Sequence, residues 1–173
     1  ASSLRAHLSQ RAYERRVAAV VEHIRAGDIF QANLTQPFTA NWHGDPRALF
    51  WRLCTASPAP FAAYVEDGQG TAVLSSSPEE FLWRNGDTVR TRPIKGTRPR
   101  GVERATDDRL LAELVHSEKD QAELAMIVDL LRNDLGKVAK IGSVQVGPFP
   151  EHASFAQVHH LFATVLAELR LGT

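Results

Sequence analysis

Residues 61–92 constrain the fold more than any other part of this chain. Two β-rich runs, 61–66 and 71–75, flank Asp67-Gly68-Gln69-Gly70, and two more, 80–84 and 88–92, flank Asn85-Gly86-Asp87. Asn-Gly supplies the positive φ angles that a tight hairpin turn requires, and Asp-Gly with a second glycine does the same for a longer one. Two hairpins in succession commit this stretch to antiparallel pairing.

Helical patterns surround it. A helix is expected over 9–26, with Ser9 as its cap, Val17, Val20, Val21 and Ile24 as one apolar stripe, and Gly27 at its end. Residues 29–38 alternate: Phe30, Ala32 and Leu34 take one side, Gln31, Asn33 and Thr35 the other, which predicts a half-buried strand. Asp45-Pro46 opens a helix running to about residue 55, and Ser57-Pro58-Ala59-Pro60 stops it. Helices are also expected over 107–115 and 117–133, and a short strand over 143–146. The tail, 154–169, reads both ways: its alanines and leucines favour helix, while Val158, His160, Phe162 and Thr164 alternate as in a strand. Without repeats, low-complexity tracts or a linker, the pattern describes one domain of mixed α and β type.

With 43% hydrophobic and 23% charged residues over 173 positions, the chain has a globular composition. Twenty basic residues balance twenty acidic ones, which removes any global electrostatic case for nucleic acid. No apolar run is long enough to span a bilayer. The single cysteine, Cys54, rules out an internal disulfide and fits a reducing cytosol, so a cytoplasmic location is expected.

The basic residues are unevenly spread. Arg84, Arg90, Arg92, Lys95, Arg98, Arg100 and Arg104 fall in one short stretch, a cluster that suits a small dianion as well as a phosphate backbone. Within it lies Arg92-Pro93-Ile94-Lys95-Gly96-Thr97-Arg98-Pro99-Arg100-Gly101, predicted as a loop following the second hairpin. Prolines stiffen this run, and its glycines let the backbone bend or approach a ligand. Two readings are open. Neighbouring cations and burial disfavour an ammonium, which would make Lys95 a nucleophile at neutral pH; the alternative is a solvated basic turn.

Other polar residues admit the same duality. Asp120 and Glu123 lie three apart on a helix whose apolar stripe is Leu124, Ile127, Val128 and Leu131; Asp120 falls within the stripe and Glu123 at its edge. A carboxylate on a buried face needs a cation, a donor or a proton. Magnesium, which takes one or two carboxylates with substrate oxygens, is one answer; for Asp120 a capping box with Ser117 is another. Glu79, after Ser75-Ser76-Ser77-Pro78, is either a general acid beside a pocket or an exposed strand-start glutamate. His159 and His160 are adjacent, so a strand would send one toward a site and the other toward water. Gln31 and Asn33 share the polar side of their predicted strand. Zinc spacing, a phosphate-binding glycine loop and a serine triad motif are all lacking.

Taken together these segments resemble the chorismate-utilising enzymes, which include anthranilate synthase component I, aminodeoxychorismate synthase component I, and the isochorismate and salicylate synthases. The resemblance rests on Gly27-Asp28-Ile29-Phe30-Gln31-Ala32-Asn33-Leu34, Ser77-Pro78-Glu79-Glu80-Phe81 and Thr91-Arg92-Pro93-Ile94-Lys95-Gly96-Thr97. It continues through Ser117-Glu118-Lys119-Asp120-Gln121-Ala122-Glu123, Ile127-Val128-Asp129-Leu130-Leu131-Arg132-Asn133-Asp134-Leu135-Gly136 and Val158-His159-His160-Leu161. These segments are collinear with the family over nearly the whole chain.

The resemblance implies an α+β sandwich of two packed, mostly antiparallel sheets with outer helices, and makes the tail around His160 a strand. It also separates the reactions. Anthranilate synthases usually carry alanine where Lys95 stands, and enzymes that add water to chorismate usually carry a lysine base where Gln31 stands. Lys95 with Gln31 is the pattern of aminodeoxychorismate synthase component I, which makes 4-amino-4-deoxychorismate for para-aminobenzoate and folate. By position, Lys95 matches a covalent nucleophile and Glu79 the general acid for the departing C4 hydroxyl. Glu123 matches a carboxylate of a Mg2+ site that neutralises the ring carboxylate, with Asp120 a weaker candidate for that shell. His160 matches a substrate-facing histidine, Thr97 shapes the pocket, and Gln31 lines it without acting as a base. Chorismate is the implied substrate, with ammonia supplied by a glutamine amidotransferase subunit. The alternatives are an anthranilate synthase component I or a non-catalytic chorismate-binding module.

Against the family pattern, the chain lacks a region before the first helix and stops soon after Leu161. The expected remainder holds a Gly/Ser-rich carboxylate-binding loop, arginine and tyrosine contacts, and further magnesium glutamates. The chain therefore reads as a partial catalytic domain, expected to expose sheet edges and apolar surface and to have little activity alone.

Overall fold

The computed structural model describes residues 3–170 and 172. The chain folds as two compact units, Ala1–Asp45 and Pro46–Thr173.

The first unit contains β1 (Arg5–Ala6), α1 (Gln10–Ala26) and β2 (Phe38–Thr39), with β1 and β2 antiparallel. α1 starts and stops where the sequence places its signals: the Ser9 hydroxyl accepts from the Ala12 amide, and Gly27 closes the helix at φ 81°. Its stripe stays partly open, with Val17, Val21 and Ile24 each more than a third exposed. The strand expected over 29–38 is not formed. Phe38, at its end, pairs with Ala6, and the His7 amide donates to the Pro37 carbonyl (3.2 Å); before that, side chains hold the stretch, with Tyr13 donating to the Leu34 carbonyl (2.7 Å) and Gln36 Oε1 accepting from the Leu8 amide (3.2 Å). Alternation alone makes no strand where no ladder satisfies the backbone.

The second unit opens with α2 (Pro46–Ala56) and continues through β3 (Phe61–Glu66), β4 (Ala72–Ser77), β5 (Glu80–Asn85), β6 (Thr88–Arg92) and β7 (Ile94–Pro99). Both predicted hairpins form. Asp67 Oδ1 accepts from the amides of Gln69 and Thr71 in the first turn, and Gly86 takes φ 59° in the second. α3 (Arg104–Val115) begins three residues before the expected start, and α4 (Glu118–Gly136) runs three past the expected end. β8 (Gln145–Val146), β9 (Glu151–Ser154), β10 (Val158–Phe162) and β11 (Val165–Glu168) complete the unit. The tail is thus strand, against its helical composition, because β10 and β11 each lie between two partners.

Besides the two-stranded β3-β4 sheet, this unit has two larger sheets of order β5-β6-β11-β8 and β7-β10-β9, all antiparallel. The two larger sheets share one long ribbon. Thr91 pairs with Val165 and Ile94 with Phe162 in an unbroken register, and the Ala163 amide donates to the Pro93 carbonyl at the join (3.2 Å). Pro93 interrupts the ladder only because it has no N–H to give. On one side of the ribbon Val89, Thr91 and Pro93 are buried with Leu161, Ala163, Val165 and Ala167. α3 and α4 cover that side, adding Leu114, Leu124, Val128 and Leu135 to the core.

Candidate active site

The segment carrying Lys95 is β7, not a loop. Lys95 lies opposite Leu161 and Thr97 opposite His160, which leaves Gly96 unpaired in a bulge at φ 80°. Opposite residues of an antiparallel pair share a side, and successive residues alternate. Lys95 therefore continues the row Val89, Thr91, Pro93, on the side covered by the helices. It is half-buried, and no hydrogen bond or ion pair engages its side-chain amine among the described residues.

The bulge brings α4 close. A Cβ on Gly96 would stand 2.9 Å from Asp120 Cβ and 3.0 Å from Leu114 Cδ1. Ser117 caps α4 by accepting from the Asp120 amide (3.3 Å), while the Ser117 amide goes to the Leu114 carbonyl, so the reciprocal half of a capping box is not made. The Asp120 carboxylate instead accepts from Arg98 Nη2 at 3.1 Å. That answers the question posed by an acid in the apolar stripe: its partner is an arginine from β7. Glu123, one turn on, is half-exposed, and its carboxylate lies 3.8 Å from Lys119.

Glu79 sits between β4 and β5, its amide on Ser77 Oγ (3.2 Å) and its carboxylate accepting from the Ile94 amide (2.9 Å). This tethers the acid one residue from Lys95. A depression of about 270 Å³ lined by Glu79, Thr91, Pro93, Ile127 and Leu131 opens on this helix side of the ribbon.

His160 and Thr97 lie on the other side, joined by a 2.9 Å hydrogen bond between Thr97 Oγ1 and His160 Nδ1. His160 faces a second cavity, about 190 Å³, with Arg92, Ile94, Phe155 and Phe162. The structure thus brings Lys95, Glu79 and Asp120 to one side of β7 and pairs Thr97 with His160 on the other. Gln31 is exposed in the first unit, outside regular structure.

Two expectations are corrected. Neither adjacent histidine faces water: His159 is buried on the helix side, its Nε2 2.9 Å from Asp107 Oδ1 and its Nδ1 2.7 Å from Ser154 Oγ. The arginine cluster is not an open cationic patch either. Arg90 pairs with Glu80, Arg98 with Asp120, and Arg100 with Asp107, while Arg84 donates to the Gly86 carbonyl and Arg92 lies 4.5 Å from the Phe162 ring centroid. Arg100, first, and then the Gly101 amide hold Asp107 far below the usual carboxylate range, with a further contribution from His159. The signal that could have revealed this is the set of acids Glu80, Asp107 and Asp120 standing nearby in the sequence.

A magnesium ion takes hard oxygens and keeps several waters, so one or two protein carboxylates suffice. Glu123 fits that requirement, whereas the Asp120 carboxylate is already committed to Arg98. Among the described residues, no three His, Cys, Asp or Glu side chains gather as a metal cage.

The site is thus an antiparallel β-ribbon backed by two helices, with a lysine and an anchored glutamate beside a bulge. The sequence profile described as chorismate binding enzyme matches residues 1–173, and the chain belongs to that family. It is 43% identical over 168 residues to aminodeoxychorismate synthase component 1 of Klebsiella aerogenes, covering 97% of this chain and 37% of that protein. It is 46% identical over 157 residues to anthranilate synthase component 1 1 of Haloarcula marismortui, covering 91% of this chain and 32% of that protein. The fold superposes on anthranilate synthase component I from Streptococcus pneumoniae TIGR4 with a TM-score of 0.87 at 30% identity, over 99% of this chain and 37% of that one. The chain spans about a third of the length of the curated relatives it matches. No helix among the described residues is long and apolar enough to cross a membrane.

Proposed function

We propose that this chain carries the reaction-determining part of an aminodeoxychorismate synthase, which replaces the C4 hydroxyl of chorismate with an amino group. The observation that carries this reading is Lys95, a half-buried amine with no partner among the described residues, one position from the amide that anchors Glu79. Relatives named for both reactions match at similar identity, so overall likeness does not separate them and the residue at position 95 must.

In the proposed sequence the Lys95 amine nitrogen forms a bond to C2 of the ring. The C1=C2 and C5=C6 double bonds shift to C1=C6 and C4=C5 as the C4–O bond breaks, and Glu79 gives its proton to the departing hydroxyl, which leaves as water. Ammonia then bonds to C4, both double bonds return, the C2–N bond to Lys95 breaks, and the proton shed by the new C4 nitrogen restores Glu79. The balance is chorismate plus ammonia to aminodeoxychorismate plus water. The hydrogen-bonded pair Thr97 and His160 lies on the other side of β7 and takes no part in these bond changes, and glutamine at position 31 provides no base to activate water. A magnesium ion, when bound through Glu123, supplies positive charge against the ring carboxylate. Ammonia comes from a glutamine amidotransferase subunit, a reading supported by relatives named as component 1.

The test is the product of Lys95→Ala in the enzyme carrying this chain, given chorismate, ammonia and magnesium and read by chromatography. Loss of aminodeoxychorismate with appearance of anthranilate is expected. Unchanged aminodeoxychorismate formation would remove Lys95 from the mechanism.

A further inference from the structure

Glu80 stands beside the proposed acid and has no role in the chemistry above. It is a carboxylate only 6% exposed, gripped at both oxygens by Arg90 (Nε 2.7 Å, Nη2 2.9 Å), whose guanidinium lies 4.6 Å from the Trp83 ring centroid. A buried bidentate pair of this kind fixes geometry more than it adds stability. It sits where the ladder is weakest. Glu80 pairs with Arg92 and Trp83 with Arg90, so β5 carries one extra residue, and the Phe81 carbonyl is taken by Thr91 Oγ1 (2.7 Å). Side chains thus pin the start of β5 where backbone bonding is interrupted.

The residue before that pin is Glu79. Because the Ala163 amide bonds the Pro93 carbonyl, the alternation of an antiparallel ladder turns the Ile94 N–H away from β10. Glu79 is its acceptor, at 2.9 Å. Glu80 borders both the cavity on the His160 side and the depression on the Glu79 side, so it stands in the wall between them.

We propose that Glu80 and Arg90 form a positioning pair that holds the Glu79 carboxylate on the Ile94 amide, beside Lys95. Its importance for catalysis rests on the reading of Glu79 as the acid; the positioning itself does not. The experiment is residue-resolved amide hydrogen exchange by NMR, which needs neither chorismate nor turnover and so can fail independently of the proposed function. Glu79→Ala sets the ceiling by removing the acceptor. Glu80→Gln and Arg90→Lys are expected to speed Ile94 exchange about tenfold, with the Thr91 and Val165 amides unchanged. Arg90→Lys keeps the charge while losing the bidentate grip, and carries the test if Glu80→Gln does not fold. Unchanged Ile94 exchange in the clamp variants, or equal acceleration along the whole ribbon, would overturn the proposal.

Discussion

Replacing Gly96 with alanine tests the junction on which the site is built. The perturbation has two parts. Gly96 holds φ 80°, which an L side chain adopts at about 1–2 kcal/mol. The new methyl would also lie 2.9 Å from Asp120 Cβ and 3.0 Å from the fully buried Leu114. Asp120 Cβ is fixed to the α4 backbone, so the helix itself must move, and overpacking of this kind costs about 1–3 kcal/mol. Together the two effects predict a loss of about 2–5 kcal/mol, a large share of the stability of an ordinary domain. Gly86→Ala is the internal control. Its φ is 59° but a Cβ there meets nothing within 4 Å, so only the backbone part, about 1–2 kcal/mol, applies. Urea denaturation of the two variants, read by tryptophan fluorescence, gives the comparison. Equal losses would refute the claim that α4 packs directly on the bulge.

Leu161→Ala, at the centre of the core opposite Lys95, is expected to lose about 2–5 kcal/mol in the same assay; a loss below about 1 kcal/mol would deny that the ribbon face under α4 is packed. Asp107 has a folded-state pKa below its unfolded value of roughly 3.9. Its contribution is therefore present above that value and fades as pH falls toward the folded one. The difference in melting temperature between the wild type and Asp107→Asn should be full at pH 7 and shrink below about pH 4; a constant difference would contradict the Arg100 and Gly101 assignments. Calorimetry with magnesium should show Glu123→Gln weakening binding by about tenfold or more, with Asp120→Asn affecting stability more than affinity; the reverse order would move the metal role to Asp120.

The sequence made the hairpins legible because Asn85-Gly86 and Asp67-Gly68 encode their turns locally, and α1 because Ser9 and Gly27 encode both ends. It did not reveal β7 as a strand. Prolines and glycines read as loop signals, whereas the pairing with β10 and the Gly96 bulge are non-local facts. The tail shows the same limit, since Ser154 to Leu169 has helical composition and becomes strand through its neighbours on both sides. The converse error lies at 29–37, where the sequence alternates and the structure has no strand. At the site, residue types and spacing singled out Lys95, Glu79, Asp120 and Glu123. The partners Arg98 and the Ile94 amide, and the division of Lys95 and His160 between two sides of the ribbon, emerge only from register.

The central claim is that Lys95 bonds covalently to the substrate. Rapid quenching of the enzyme with chorismate and magnesium, with ammonia withheld, followed by peptide mass spectrometry, tests it directly. The account predicts a mass increase on the peptide containing Lys95, equal to chorismate less water, that disappears when ammonia is added. Competent formation of aminodeoxychorismate by an enzyme that shows no such adduct, and that keeps its activity when Lys95 is alanine, would contradict it.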